Sequence, residues 1–201
     1  MRKLQKRGSI VSPWWAKYQL STDPEPLIRW KMRLKNTLTC PKVRLLTLET
    51  DNFQKHSYPF GIMVNARGQR FVDEGADFRN YTYAKYGGDI LVQPGQFAWQ
   101  IFDQKVTHLL RDEYRIREVT RVTADSIDDL VVRMEGVDGA RLAQTIGEFN
   151  AAVQMDVPFD PNVKDGRGTA GLEVTKSNWA NPLDTPPYQA YGVTCGITFT
   201  F

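Results

Sequence analysis

Residues 60–86, FGIMVNARGQRFVDEGADFRNYTYAKY, constrain this chain more than any other stretch. Ile62 and Val64 stand at strand spacing, Asn65-Ala66-Arg67-Gly68 has the composition of a turn, and apolar character resumes at Phe71. Alternating apolar residues on either side of a short Asn/Gly segment predict a β-hairpin. Its second strand runs into Asp73-Glu74-Gly75, and a polar-aromatic loop follows with Arg79 at its centre, among Asp77, Asn80, Tyr81 and Tyr83. Gly87-Gly88 then breaks the chain. A loop held by a rigid scaffold is where function concentrates. Arg79 is therefore a candidate for function, and the alternative from chemistry alone is a surface arginine paired with Asp77.

Further along, residues 96–103 alternate as a strand, residues 104–114 suit a short helix, and residues 117–123 are extended. A helix starts near Ala124, with Asp125 or Ser126 as its N-cap and Asp128 and Asp129 at the positive end of its dipole. Leu142, Ile146, Phe149 and Val153 recur at the spacing of an amphipathic helix over residues 140–154. Residues 156–187 are rich in Pro, Gly, Asp and Asn and read as a long loop, and Tyr188–Phe201 is strand-like. These elements predict an α+β fold: a mixed sheet built around the hairpin, with two or three helices on one side.

The 201 residues leave room for one domain with a core, or one domain and an arm. Residues 1–50 carry eleven Lys/Arg against three Asp/Glu, a surplus of eight positive charges, so the remainder is acidic. Such an arm could meet nucleic acid, an anionic surface or the acidic body itself. It has few features of a specific nucleic-acid module, so nucleic acid is not expected as a partner. No apolar run has the length of a membrane span, and no signal-peptide core follows the basic start. A cytoplasmic protein is expected, with Cys40 and Cys195 as free thiols.

The run Gly61-Ile-Met-Val-Asn-Ala-Arg-Gly-Gln-Arg-Phe-Val-Asp-Glu-Gly-Ala-Asp-Phe-Arg-Asn-Tyr81 resembles the substrate-capping region of the fumarate reductase/succinate dehydrogenase flavoprotein family. In that family an N-x-x-G-x-R-F-V-(N/D)-E hairpin precedes a loop whose arginine faces the substrate. The branch it most resembles is the FAD-dependent tricarballylate dehydrogenases. The resemblance extends roughly over Phe53 to Phe201 and is specific over residues 60–86 and 176–201. It does not extend over the basic arm at 1–50, which is either a divergent replacement or material foreign to the family, and it implies a capping domain at 51–155 and a loop and strand at 156–201 that return toward a flavin domain.

The resemblance implies site residues as well. Arg79 takes the place of the family's active-site arginine, which pairs with a substrate carboxylate beside the carbon that exchanges a proton. A guanidinium suits the first task, because it binds carboxylates bidentately. The family's relay to that arginine uses a Glu and a second Arg just before the hairpin, where this chain has Gln54 and Ser57. Lys55 and His56 are the neighbours able to substitute, so Lys55, His56 and Ser57 become substrate-binding candidates. Thr198 stands near the position of a substrate-binding histidine and could donate one hydrogen bond. His108 is expected to be structural.

Gly166-Arg-Gly-Thr-Ala-Gly171 matches G-x-G-x-x-G, but prolines flank it on both sides, and the fingerprint works only between a strand and a helix. It is read as a loop. FAD is thus expected in an intact relative and not in this chain alone, which is expected to be inactive by itself and to self-associate through surface that a flavin domain would cover. Two histidines and two scattered cysteines offer no metal cluster. Two readings of other classes stand beside this one: a non-catalytic interaction or oligomerisation module, and a nucleic-acid-binding protein led by the basic arm.

Overall fold

A computed structural model describes residues 55–117 and 119–195, all within one compact unit that begins at Val43. The basic arm and Thr198 lie outside the described residues. Four strands, β1 (Ile62–Val64), β2 (Phe97–Phe102), β3 (Arg121–Ala124) and β4 (Tyr188–Thr194), form one sheet in the order β1-β2-β4-β3. Every ladder is antiparallel, with Ile62 opposite Ile101, Trp99 opposite Gly192 and Val122 opposite Ala190. Among the described residues three α-helices accompany it: α1 (Arg79–Leu91), α2 (Ile127–Arg133) and α3 (Gly139–Ala152). The class is the α+β expected from the sequence, with a sheet that is antiparallel throughout.

The strand period of two divides the core. Ile62, Val64, Trp99 and Ile101 point to one face and pack with Leu130 and Met134 near α2 and with Leu142, Ile146 and Phe149 of α3. Met63 and Ala98 point to the other face and pack with Tyr86 and Ile90 of α1. Helices therefore cover both faces, where the sequence pattern suggested one. α2 starts at one of its two expected caps, Ser126, which accepts from the Asp129 amide, and α3 starts after Asp138, which accepts from the Arg141 amide.

The predicted hairpin exists in shortened form. Asn65 Oδ1 accepts from the amides of Arg67 (2.9 Å) and Gln69 (3.2 Å), and Gly68 takes the left-handed φ of 69°. Gly68 also sits where a Cβ would lie 2.6 Å from both the Asp138 carbonyl and the Leu142 amide, so the turn docks on the start of α3. Past the turn, pairing is limited to a single bridge between Val64 and Arg70. No second strand forms, because the backbone leaves the sheet to bring Glu74 back beneath it. The Glu74 carboxylate is fully buried and accepts from the Met63 amide (2.7 Å) and from Arg70 Nε and Nη2 (3.1 and 2.6 Å). Arg70 also donates to the Val174 carbonyl at 2.6 Å and lies 5.1 Å from the centre of the Phe149 ring.

Residues 156–187 contain no helix or strand, as expected, yet the segment is packed. Lys176, Trp179 and Ala180 are almost wholly buried. Lys176 Nζ donates to the carbonyls of Pro59 (2.7 Å) and Gly61. Burial, aided by Arg70 and opposed by Glu74, lowers its pKa to about 8.

Two stability predictions follow from these charges. Glu74→Ala leaves the Arg70 guanidinium buried without its partner and is expected to cost about 3–5 kcal/mol. Arg115→Ala removes the exposed pair with Asp112 and is expected to cost under about 1 kcal/mol. Urea unfolding of both variants checks the contrast, and equal losses would refute the role given to Glu74. For Lys176, the folded pKa of about 8 lies below the ordinary 10.5. Between those values the unfolded chain binds more protons, so stability rises with pH. From a little above pH 9 the tyrosines, among them Tyr58 pushed up to about 12, reverse the trend, because they ionise first in the unfolded chain. Unfolding measured between pH 8 and 9 is expected to show a gain of about 1 kcal/mol that Lys176→Met removes.

Candidate functional site

The segment before β1 is held by a buried polar chain on the α1 side of the sheet. Gln100 of β2 donates to the Lys55 carbonyl (3.0 Å) and accepts from the Tyr114 hydroxyl (2.6 Å). That hydroxyl accepts from the Ser57 amide at 2.9 Å, and Ser57 Oγ accepts from the Arg111 amide at 3.1 Å. Ser57 is 3% exposed, so the structure places it as a tether between two segments. Lys55 and His56 are half-buried beside it.

Arg79 is not in a loop. It is the first residue of α1, with Phe78 as an N-cap that offers no side-chain hydrogen bond. The helix also runs through Gly87 and Gly88, which the sequence pattern read as a break. Each glycine costs about 1 kcal/mol relative to Ala. The helix survives because Thr82, Tyr86 and Ile90 bury one face and the Tyr86 hydroxyl donates to the Asp73 carbonyl. A cation at a helix start is opposed by the helix dipole. Here it adds to the positive potential of the uncapped amides, an arrangement suited to receiving an anion.

What fixes the start of α1 is a clasp between residues 73–78 and 165–179. Asp73 Oδ1 accepts from the amides of Gly75 (2.9 Å) and Ser177 (3.0 Å), and Oδ2 accepts from the Ser177 hydroxyl. Asn178 donates to the Gly75 carbonyl at 2.7 Å. A Cβ at position 75 would lie 2.1 Å from the Asn178 carbonyl oxygen, which explains glycine there. The Phe78 ring lies 5.3 Å from that of Trp179. Trp179 is held in turn by Asp165, which accepts from its amide at 2.9 Å.

Around Arg79 the fold gathers His56, Tyr58, Tyr83, Arg111 and Glu113. The His56 ring lies 5.1 Å from Tyr83 and 6.4 Å from Tyr58. Burial first, then the positive charges of Arg79 and Arg111, lower the His56 pKa, while Glu113 opposes them. This favours the neutral imidazole. Arg111 binds Glu113 through three contacts of 3.0–3.3 Å. This pairing, with a smaller contribution from Arg79, holds the Glu113 carboxyl below its ordinary range. Burial raises the Tyr58 hydroxyl, which shares a 2.7 Å hydrogen bond with Thr82. Of the predicted residues, Arg79 and His56 are thus brought together. Asp77 pairs with Lys164 at 3.5 Å and not with Arg79. His108 is exposed on a 3-10 turn. Arg111 and Glu113 had no local signal in the sequence, because they reach the cluster only through the Ser57–Arg111 hydrogen bond and the Tyr114–Gln100 chain.

Gly166–Gly171 forms a loop with no helix after it, as its flanking prolines implied. Its strand-like contact is the single bridge Val153–Thr169. No group of His, Cys, Asp or Glu among the described residues could hold a metal ion. No helix among them is long and apolar enough to cross a membrane. An open groove of about 450 Å³ lies along the outer side of α1, lined by Asp73, Lys85, Asp89 and Glu173 among others. Its acidic lining makes it a poor receptor for a carboxylate.

The chain is similar to a fumarate reductase (cytochrome) of Shewanella frigidimarina, 33% identical over 141 residues, which are 69% of this chain and 21% of the relative. It is also similar to 4-oxocyclohex-2-ene-1-carboxylate 5-dehydrogenase of Sinomonas cyclohexanicum, 27% identical over 161 residues, 70% of this chain and 26% of that one. Among solved structures, the open conformation of a flavocytochrome c3 fumarate reductase aligns with a TM-score of 0.49 at 27% identity, over 68% of this chain and 21% of the other. No family model matches. The chain spans about a fifth to a quarter of the length of the curated relatives.

The electrostatics of this cluster can be tested directly. Arg79→Gln removes one of the charges that depress His56, so the His56 pKa is expected to rise. It stays below the ordinary 6.5, because burial is the larger cause and persists. An NMR titration of the His56 ring in both proteins reads this, and an unchanged pKa would separate Arg79 from the cluster.

Proposed function

We propose that this chain is the substrate-capping part of an FAD-dependent oxidoreductase that acts at a C–C bond next to a carboxylate. Tricarballylate-like polycarboxylates are the class the sequence resemblance favours. The observation that carries the reading is the placement of Arg79: an arginine without an ion pair among the described residues, at an uncapped helix start, fastened by the clasp from Asp73, Asn178 and Trp179. The similarity to fumarate reductases supports it.

In this reading Arg79 binds and orients the carboxylate through paired N–H donors. Arginine gives up a proton with difficulty, its ordinary pKa being above about 12. The neutral imidazole of His56, in the same cluster, is the group able to hold the proton released next to the carboxylate. Lys55 and Thr198 remain proposed substrate contacts. The described residues do not fit a dinucleotide, since the glycine loop lacks the helix that would receive a pyrophosphate. FAD belongs in this proposal to a partner domain, and the chain alone is inactive. Phe78 and Tyr81, 37% and 78% exposed beside Arg79, are apolar surface such a domain would cover, and they favour self-association without it.

Flavin titration tests the first half: the purified chain is expected to leave FAD absorbance and fluorescence unchanged, and tight binding would overturn the proposal. The second half is tested by grafting residues 51–201 in place of the corresponding segment of a related full-length flavoenzyme. Arg79→Gln in that hybrid is expected to lower kcat/KM by about 100-fold or more. A hybrid that turns over equally well with either residue would remove Arg79 from the reaction.

A further inference from the structure

The glycine loop at 166–171 matches a ligand-binding pattern in sequence, and the function proposed above leaves it without a role. Its backbone is fastened on both sides. The amides of Gln154 and Ala170 donate to the carbonyls of Gly168 and Ala152 at 2.9 Å each, around the bridge Val153–Thr169. That antiparallel register sets Met155 opposite Arg167. On the other side the Ala180 amide donates to the Arg167 carbonyl at 2.8 Å, and the Gly166 amide donates to Asn178 Oδ1 at 2.8 Å. Arg167 is thus held between the segment that follows α3 and the segment that clasps α1.

Arg167 is 9% exposed, as is Arg70, but the two are provided for differently. Glu74 takes the edge of the Arg70 guanidinium formed by Nε and Nη2, at 3.1 and 2.6 Å. The same edge of Arg167 donates to no oxygen among the described residues. Its Nε is buried without a hydrogen-bond partner, and Nη2 donates to Met155 Sδ at 2.8 Å. A thioether is a weak acceptor and carries no charge. None of the ion pairs among the described residues includes Arg167. Asp165, two residues away, accepts instead from the backbone amides of Asp160, Arg167 and Trp179. A guanidinium keeps its charge at any ordinary pH. Withdrawing it from water is unfavourable unless a negative acceptor takes the solvent's place.

We propose that Arg167 is an anion-binding residue, and that the glycine loop holds one small oxyanion, a carboxylate or a phosphate, on its Nε–Nη2 edge. Two parallel N–H donors match two oxygens of either group. Met155 is 62% exposed, so the oxyanion reaches that edge by displacing a thioether that borders solvent. An unbranched methionine side chain adapts readily to such a change. One anion is what the loop accommodates, since no helix follows it to receive a second phosphate. The site stands apart from the reading of Arg79 as a carboxylate ligand and does not depend on it.

The test uses the whole chain in chloride buffer at constant ionic strength. Sodium acetate and sodium phosphate are titrated separately while the Arg167 Nε–H and Met155 methyl signals are followed by NMR. Saturable shifts of both signals are expected with at least one of the two. Acetate alone marks a carboxylate site, phosphate alone a phosphate site, and both an unselective oxyanion site. Arg167→Lys keeps the charge and loses the fork, and it is expected to weaken binding about tenfold, the worth of one hydrogen bond to a charged group. Arg79→Gln is expected to leave the shifts at Arg167 and Met155 in place, which separates this site from the cluster around Arg79. Thermal unfolding gives a second reading. The anion that binds is expected to raise the Tm of the wild-type chain and not that of Arg167→Gln. In chloride alone Arg167→Gln is expected to be at least as stable as wild type, because it removes a buried charge that has no partner. No shift at Arg167 with either anion overturns the proposal. A Tm gain that Arg167→Gln shares in full overturns it, and so does a loss of stability in that variant that is the same in every buffer, which would make Arg167 a structural residue.

Discussion

A buried carboxylate, that of Glu74, holds together the parts of this structure that matter for its site. β1 is an edge strand of only three residues, and an edge strand presents unpaired backbone groups that need a partner when water is excluded. Glu74 supplies one to the Met63 amide, and Arg70 neutralises the charge this brings into the core. Arg70 in turn reaches Val174 in the long loop and the Phe149 ring on α3. One ion pair thus ties together an edge strand, a helix and a loop distant in sequence. It explains why the chain leaves the sheet after one bridge and does not complete a second strand.

The conspicuous sequence motif is consequently architectural. Asn65 and Gly68 shape the turn and dock it on α3, Arg70 and Glu74 close the sheet edge, and Asp73 and Gly75 receive the returning loop. None of these residues is at the cluster around Arg79. Their effect is felt a few residues later, where the clasp delivers Arg79 to the start of α1. The arrangement separates holding from chemistry: the buried, satisfied polar groups lie under the sheet, and a cation without a counter-ion among the described residues lies at its rim.

That rim departs from local rules in the way functional sites do. A positive residue opens a helix, and the N-cap gives the helix no side-chain acceptor. The neutral form of a histidine is favoured by burial and by two neighbouring guanidinium groups, only one of which has a carboxylate partner among the described residues. The first two departures have an unfavourable local energy, and both raise the attraction of the site for an incoming anion.

The sequence by itself determined the α+β class, β2, the capped start of α2, the amphipathic α3, the turn at Asn65–Gly68 and the non-helical glycine loop. These are decided by period, caps and turn chemistry within a few residues, and such signals survive in any context. Only the tertiary structure decided the rest. Helix α1 persists through two glycines because Tyr86 and Ile90 are buried against the sheet, which local propensity cannot report. Helices occupy both faces because the strands are apolar on both. Ser57 is a tether, and Arg111 and Glu113 join the site, because buried hydrogen bonds bring distant segments together. The second strand of the hairpin is absent because Glu74 is needed under β1. In each case the deciding interaction joins residues far apart in the chain, and no pattern within a single segment carries its trace.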